Sequence, residues 1–161
     1  MTTIATPPVA TPPVATSPIA TPPVHGTDTG HRVALARSRH APEVARRITA
    51  RWLAARGVSP GSAPDVLLVV SELVTNTLRH TSGTCTLTLT AHATTVGITV
   101  TDTSTRLPRM RSDPAAHEDG GRGLALLYGM GARLTVTPTL RGKAVEATLD
   151  LGGEAPHGLV E

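Results

Sequence analysis

The sequence predicts an α+β two-layer sandwich in which helices cover one face of a mixed, mostly antiparallel sheet. Three observations predict it. Two segments opened by proline carry apolar residues at helical spacing early in the chain. Four later segments alternate apolar residues with threonine at period two, in two pairs. A short helical segment that opens on glycines separates the pairs. A sheet with one apolar face needs helices to cover it, and the order strand, two helices, two strands, loop, helix, two strands supplies them.

The elements follow in order. Residues 1–30 read as a disordered tail, because Ala5-Thr6-Pro7-Pro8-Val9 begins a pentapeptide repeat that continues to Val24. Paired prolines at period five fit an extended polyproline II string, not a helix or strand. The folded domain is expected over 31–151, with 152–161 as a flexible tail. Val33 and Leu35 alternate as a short strand. Pro42 opens a helix that stops at Gly57, and its Arg47 and Arg51 share one face. A second helix runs from Ala63-Pro64 to His80 on the stripe Val66, Val69, Val70, Leu73 and Thr77. Cys85, Leu87, Leu89 and Ala91 form the next strand, and Val96, Ile98 and Val100 its partner. Thr103 to Asp119 lacks apolar period and reads as a lid. A helix from about Gly121 to Met130 leads to strands on Leu134 and Val136, then on Val145, Ala147, Leu149 and Leu151.

Composition excludes several classes. One cysteine in 161 residues rules out an internal disulfide framework and a cysteine-based metal site. The apolar run Val66 to Val70 is far too short to span a bilayer, and no signal peptide is visible, so a cytoplasmic location without membrane attachment is expected. Net charge is +3, and all 15 basic residues except Lys143 are arginine. That balance permits acidic partners. Trp52 and Tyr128 are the only aromatics, too few to stack single-stranded nucleic acid. A DNA-associated protein using the arginine face is kept as an alternative.

Three groups of residues carry chemistry. On the second helix, Glu72 and Asn76 lie four apart, and Arg79 and His80 continue a polar stripe expected opposite the core. A carboxylate and a carboxamide oxygen one turn apart are hard ligands suited to Mg²⁺ shared with phosphates, and a glutamate there could deprotonate a hydroxyl. Asp102 continues the inward parity of Val96, Ile98 and Val100, which puts a carboxylate into the apolar layer, where it needs a donor. The donor is a loop amide, an arginine or the amino group of adenine. Asp119-Gly120-Gly121-Arg122-Gly123-Leu124 opens a helix with glycines, which lets backbone N–H groups approach phosphate oxygens.

In this order, the segments Glu72 to His80, Thr101-Asp102-Thr103-Ser104 and Gly121-Arg122-Gly123-Leu124 resemble the GHKL ATPase superfamily. Within it, the layout resembles the anti-sigma-factor serine/threonine kinases of actinobacteria. The resemblance implies the Bergerat fold over about His31 to Leu151, with ATP and Mg²⁺ as cofactors. It implies Glu72 as catalytic base and Asn76 as metal ligand, with Arg79 and His80 beside the triphosphate. It makes Asp102 the reader of adenine, and Gly121 and Gly123 the phosphate cradle. Ser104, Arg122, Leu124 and Lys143 complete the nucleotide-binding set, Lys143 through a Gly142-Lys143 pair like that of the family's last motif. The implied activity is transfer of the ATP γ-phosphate to a small antagonist protein of the STAS type; a sigma factor is the other implied partner, and a homodimer is left open. Ser104 and Arg106 stand where the superfamily usually has glycines, and Ala144 where threonine is usual. These departures motivate the other alternative, an ATP-binding interaction module that transfers no phosphate.

Overall fold

The computed structural model describes residues 30–106 and 122–152. The repeat tail, most of the expected lid, Gly121 and residues 153–161 lie outside the described residues. The elements are β1 (His31–Leu35), α1 (Ala41–Ala55), α2 (Ala63–His80), β2 (Cys85–His92), β3 (Thr95–Asp102), α3 (Arg122–Gly129), β4 (Arg133–Thr139) and β5 (Gly142–Asp150).

The strands form one sheet in the order β1-β2-β3-β5-β4. All four pairings are antiparallel, so the parallel pair that a mixed sheet would hold is not found among the described residues. The fold is α+β, as the alternation requires. Leu87, Leu89, Val96, Ile98, Val100, Val145, Ala147 and Leu149 are buried on one face. Threonines of β2 and β3 hold the other, half-exposed face, where a β-branched side chain suits the pleat. α2 packs against β3 and β5, and α1 packs against α2 and β1.

Both helices of the opening pair carry proline in their first turn, where its missing N–H costs nothing. α1 ends where Gly57 adopts φ +66. There Gly57 N–H donates to Ala54 O and Val58 N–H to Leu53 O, a Schellman pair that satisfies two terminal carbonyls. Leu53 and Val58, the residues at its two ends, are both buried. α3 ends by the same device at Gly131. Trp52 is buried beneath Arg56, whose guanidinium lies 4.2 Å from the ring centroid. Arg47 forms an exposed ion pair with Glu43 at 2.8 Å, so part of the arginine face is neutralised in place. No helix among the described residues is long and apolar enough to cross a membrane.

Candidate functional site

The site has two ends, and they differ in how their polar atoms are spent. One end lies where β3 stops. Asp102 is the last residue of β3 and Lys143 the second of β5, and the register sets them directly opposite each other. Lys143 continues the parity of Val145, Ala147 and Leu149, so both side chains enter the apolar layer. Asp102 is 4% exposed and Lys143 2%.

Lys143 Nζ donates to Asp102 Oδ1 at 2.9 Å and lies 2.9 Å from Oδ2. Ser104 N–H donates to Oδ1 at 2.8 Å, and the Thr77 hydroxyl donates to Oδ2 at 3.4 Å. The ammonium also donates to the Ser104 carbonyl at 3.3 Å. An ionised carboxylate offers about four acceptor positions and an ammonium three donors. The pair therefore has most of its polar valence met, as two charges out of water require.

Gly142 fixes how close the strands come. A Cβ at this position would overlap the Asp102 carbonyl oxygen and lie 2.7 Å from Thr103 C and Cα. On the other side of Asp102 sits Cys85, buried at the start of β2. Burial first, and the Asp102 carboxylate second, push its thiol above the ordinary range, so it stays protonated at neutral pH.

The other end is built by α2 and α3. Glu72 and Asn76 are half-buried and one turn apart on α2. They flank the apolar stripe, with Val69 and Leu73 buried in the same turns, and do not lie opposite the core as expected. The reason is a second cover: α3 also packs against α2 and takes part of the flank out of solvent. A Cβ at Gly123 would overlap Glu72 Oε2 and lie 3.0 Å from its Cδ, so the carboxyl rests against the first turn of α3. The positive end of a helix favours a carboxylate there. Among the described residues neither Glu72 nor Asn76 has a side-chain hydrogen bond. Arg79 and His80 are exposed in the last turn of α2, and the backbones of Arg122 and Leu124 lie in the first turn of α3.

The structure thus brings Glu72, Asn76 and Gly123 together at one end and Asp102, Ser104 and Lys143 at the other. Thr77 joins the second group, although its place in the apolar stripe suggests only a core role. The signal for Lys143 as a buried partner of Asp102 is its parity, inward like that of Val145. No three of His, Cys, Asp and Glu converge among the described residues. One or two oxygen ligands completed by phosphates is the arrangement Mg²⁺ accepts, and Glu72 and Asn76 fit it.

One solved structure shares this architecture. The RsbU and RsbW domains of a Mycobacterium tuberculosis protein superpose with a TM-score of 0.57 at 17% identity, over 81% of this chain and 34% of that one, a likeness of fold. The chain thus spans about a third of that protein's crystallised length. The histidine kinase domain of a blue-light activated histidine kinase from Erythrobacter litoralis EL346 is 29% identical over 56% of this chain and 45% of its own, with a TM-score of 0.43. No curated protein matches the sequence. The model of the histidine kinase-like ATPase domain matches residues 34–149, which include Glu72, Asn76, Asp102, Gly123 and Lys143. The chain belongs to the histidine kinase-like ATPase domain family.

Proposed function

We propose that this domain is an ATP-binding regulatory protein of the anti-sigma-factor kinase type, which transfers the γ-phosphate of Mg-ATP to a serine or threonine of a small antagonist protein. The observation that carries the reading is the pair Glu72 and Asn76, half-buried one turn apart with Glu72 against α3, neither side chain hydrogen-bonded among the described residues. Bound ATP supplies the transferable phosphoryl group, and Mg²⁺ offsets its charge. Asn76 gives the metal a neutral oxygen. Glu72 orients the acceptor hydroxyl and takes its proton. Arg79 and His80 face the triphosphate with positive or neutral donors, and Asp102 accepts from the adenine amino group. A sigma factor is the alternative protein held by the same domain.

Titration with ATP and GTP, with and without Mg²⁺, tests the binding half. The expected result is Mg²⁺-dependent binding of ATP and poor binding of GTP, whose base has a carbonyl where adenine has its amino group. Equal affinity for the two would remove Asp102 from the base site. A second reading, an ATP-binding module without transfer, is favoured by Ser104 and Arg106 where the superfamily usually has glycines and by Ala144 where threonine is usual. ATP binding without phosphorylation of any antagonist protein from its own organism would establish that reading.

Gly123→Ala gives a sharper view of the transfer end. The new methyl would meet the far end of a flexible Glu72 side chain, which can give way. Alanine is also the better helix former, by up to about 1 kcal/mol in a helix interior and by less in a first turn. The melting temperature should therefore hold or rise while transfer slows about tenfold or more, because the carboxyl is pushed off its place. Calorimetry and single-turnover transfer on the same preparation check both halves.

A further inference from the structure

We infer that Lys143 is a self-inhibitory residue of the base site: it occupies the acceptor atoms of Asp102 that adenine needs, so ATP binds only to molecules in which the Asp102–Lys143 pair has opened. The inference rests on the nucleotide reading above and adds a regulator to it.

Three hydrogen bonds reach the Asp102 carboxylate, from Lys143, the Ser104 N–H and the Thr77 hydroxyl, and the Lys143 ammonium lies 2.9 Å from both of its oxygens. The ammonium stands across both oxygens, where an incoming amino group has to bind. Ser104 N–H is fixed by the backbone and the Thr77 hydroxyl by α2, so the displaceable donor is Lys143, the one at the end of a flexible stem. Lys143 and Asp102 are both buried in this state. When a competent form is only a fraction of the population, the apparent dissociation constant is the intrinsic one divided by that fraction. An open fraction of about a tenth or less weakens ATP at least tenfold. Opening also frees the Ser104 carbonyl from Lys143, which ties the base site to the start of the segment that follows β3.

Simple electrostatics gives the opposite expectation, and this makes the test sharp. Deleting a cation near a triphosphate should weaken binding, whereas deleting an occluding donor should tighten it. The experiment is ATP titration of the full chain and of Lys143→Met, which keeps the apolar stem and removes the ammonium. Lys143→Met is expected to bind ATP about tenfold more tightly than the parent. Equal or weaker binding by a folded Lys143→Met, with the parent still binding ATP, overturns the inference and leaves the nucleotide reading intact. If neither protein binds ATP, the nucleotide reading itself fails.

Lys143→Met strands a buried carboxylate and could prevent folding, so a second measurement uses the unaltered chain. Lys143 is its sole lysine, and ¹⁵N-lysine labelling gives a single side-chain resonance. Its ammonium protons should be protected from exchange without nucleotide and should lose that protection, with a shift, at saturating ATP. A resonance that keeps its position and protection at saturation overturns the inference.

Discussion

Glu72→Ala is expected to leave Mg-ATP affinity within a few fold of the parent and to slow phosphotransfer by about 10²-fold or more, the scale of a lost general base. Proton removal from the acceptor hydroxyl belongs to the transition state, so its loss appears in the rate and not in ground-state binding. Removing a negative charge beside the triphosphate can even tighten ATP. Glu72 is half-buried and touches α3 through its carboxyl, so the stability change should stay within about 1 kcal/mol. Glu72→Gln keeps the shape and the contact with Gly123, and it should lose transfer to the same degree. Single-turnover transfer and ATP titration on both variants separate the two quantities. Transfer at the parent rate would mean that Glu72 is not the base.

Asp102→Asn is expected to be the most destabilising single change in the site. It removes the counter-charge of an ammonium that is 2% exposed. Breaking one partner of a buried pair costs about 3–5 kcal/mol, because the remaining charge is stranded in an apolar layer. For a domain of this size that lowers the melting temperature by roughly 10–20 °C. The double variant Asp102→Asn/Lys143→Met should recover most of the loss, since no charge is left uncompensated. Thermal melts of the two singles and the double close the cycle. A single variant that melts within a couple of degrees of the parent would show that the pair carries little. The double variant also protects the interpretation of binding data, because weak ATP binding by Asp102→Asn alone would mix lost recognition with lost folding.

Much of this architecture is legible in the amino-acid sequence. Pro42, Gly57 and Pro64 mark helix ends by backbone chemistry that context rarely overrides. The period-two runs name the buried face of β2, β3 and β5 because a strand alternates strictly. The same alternation places Asp102 inward. Strand order is not legible: parity says which face a residue joins and nothing about which strand lies beside it. That is why the opposition of Asp102 and Lys143 emerges only in the folded sheet. Lysine is almost never buried without a partner, and here the partner is 41 residues away. Thr77 disappears into an apolar stripe because a threonine methyl packs like valine, and its hydroxyl gains meaning only beside Asp102. The cover over Glu72 depends on α3, which comes from a distant part of the chain.

The place of the ion pair in the sheet has a consequence for how the chain folds. β2–β3 and β4–β5 are hairpins closed by two-residue turns, Ala93-Thr94 and Leu140-Arg141. Their pairings are local and cheap in loop entropy. The β3–β5 pairing is different: it is the seam that joins the two hairpins, and it must gather in the whole intervening chain. Pairings of high sequence separation are the ones that slow folding. Asp102 and Lys143 stand on opposite sides of that seam, so each hairpin can form with its own charge in water. The two charges leave solvent together, in the long-range step that joins the hairpins, and neither has to be buried alone.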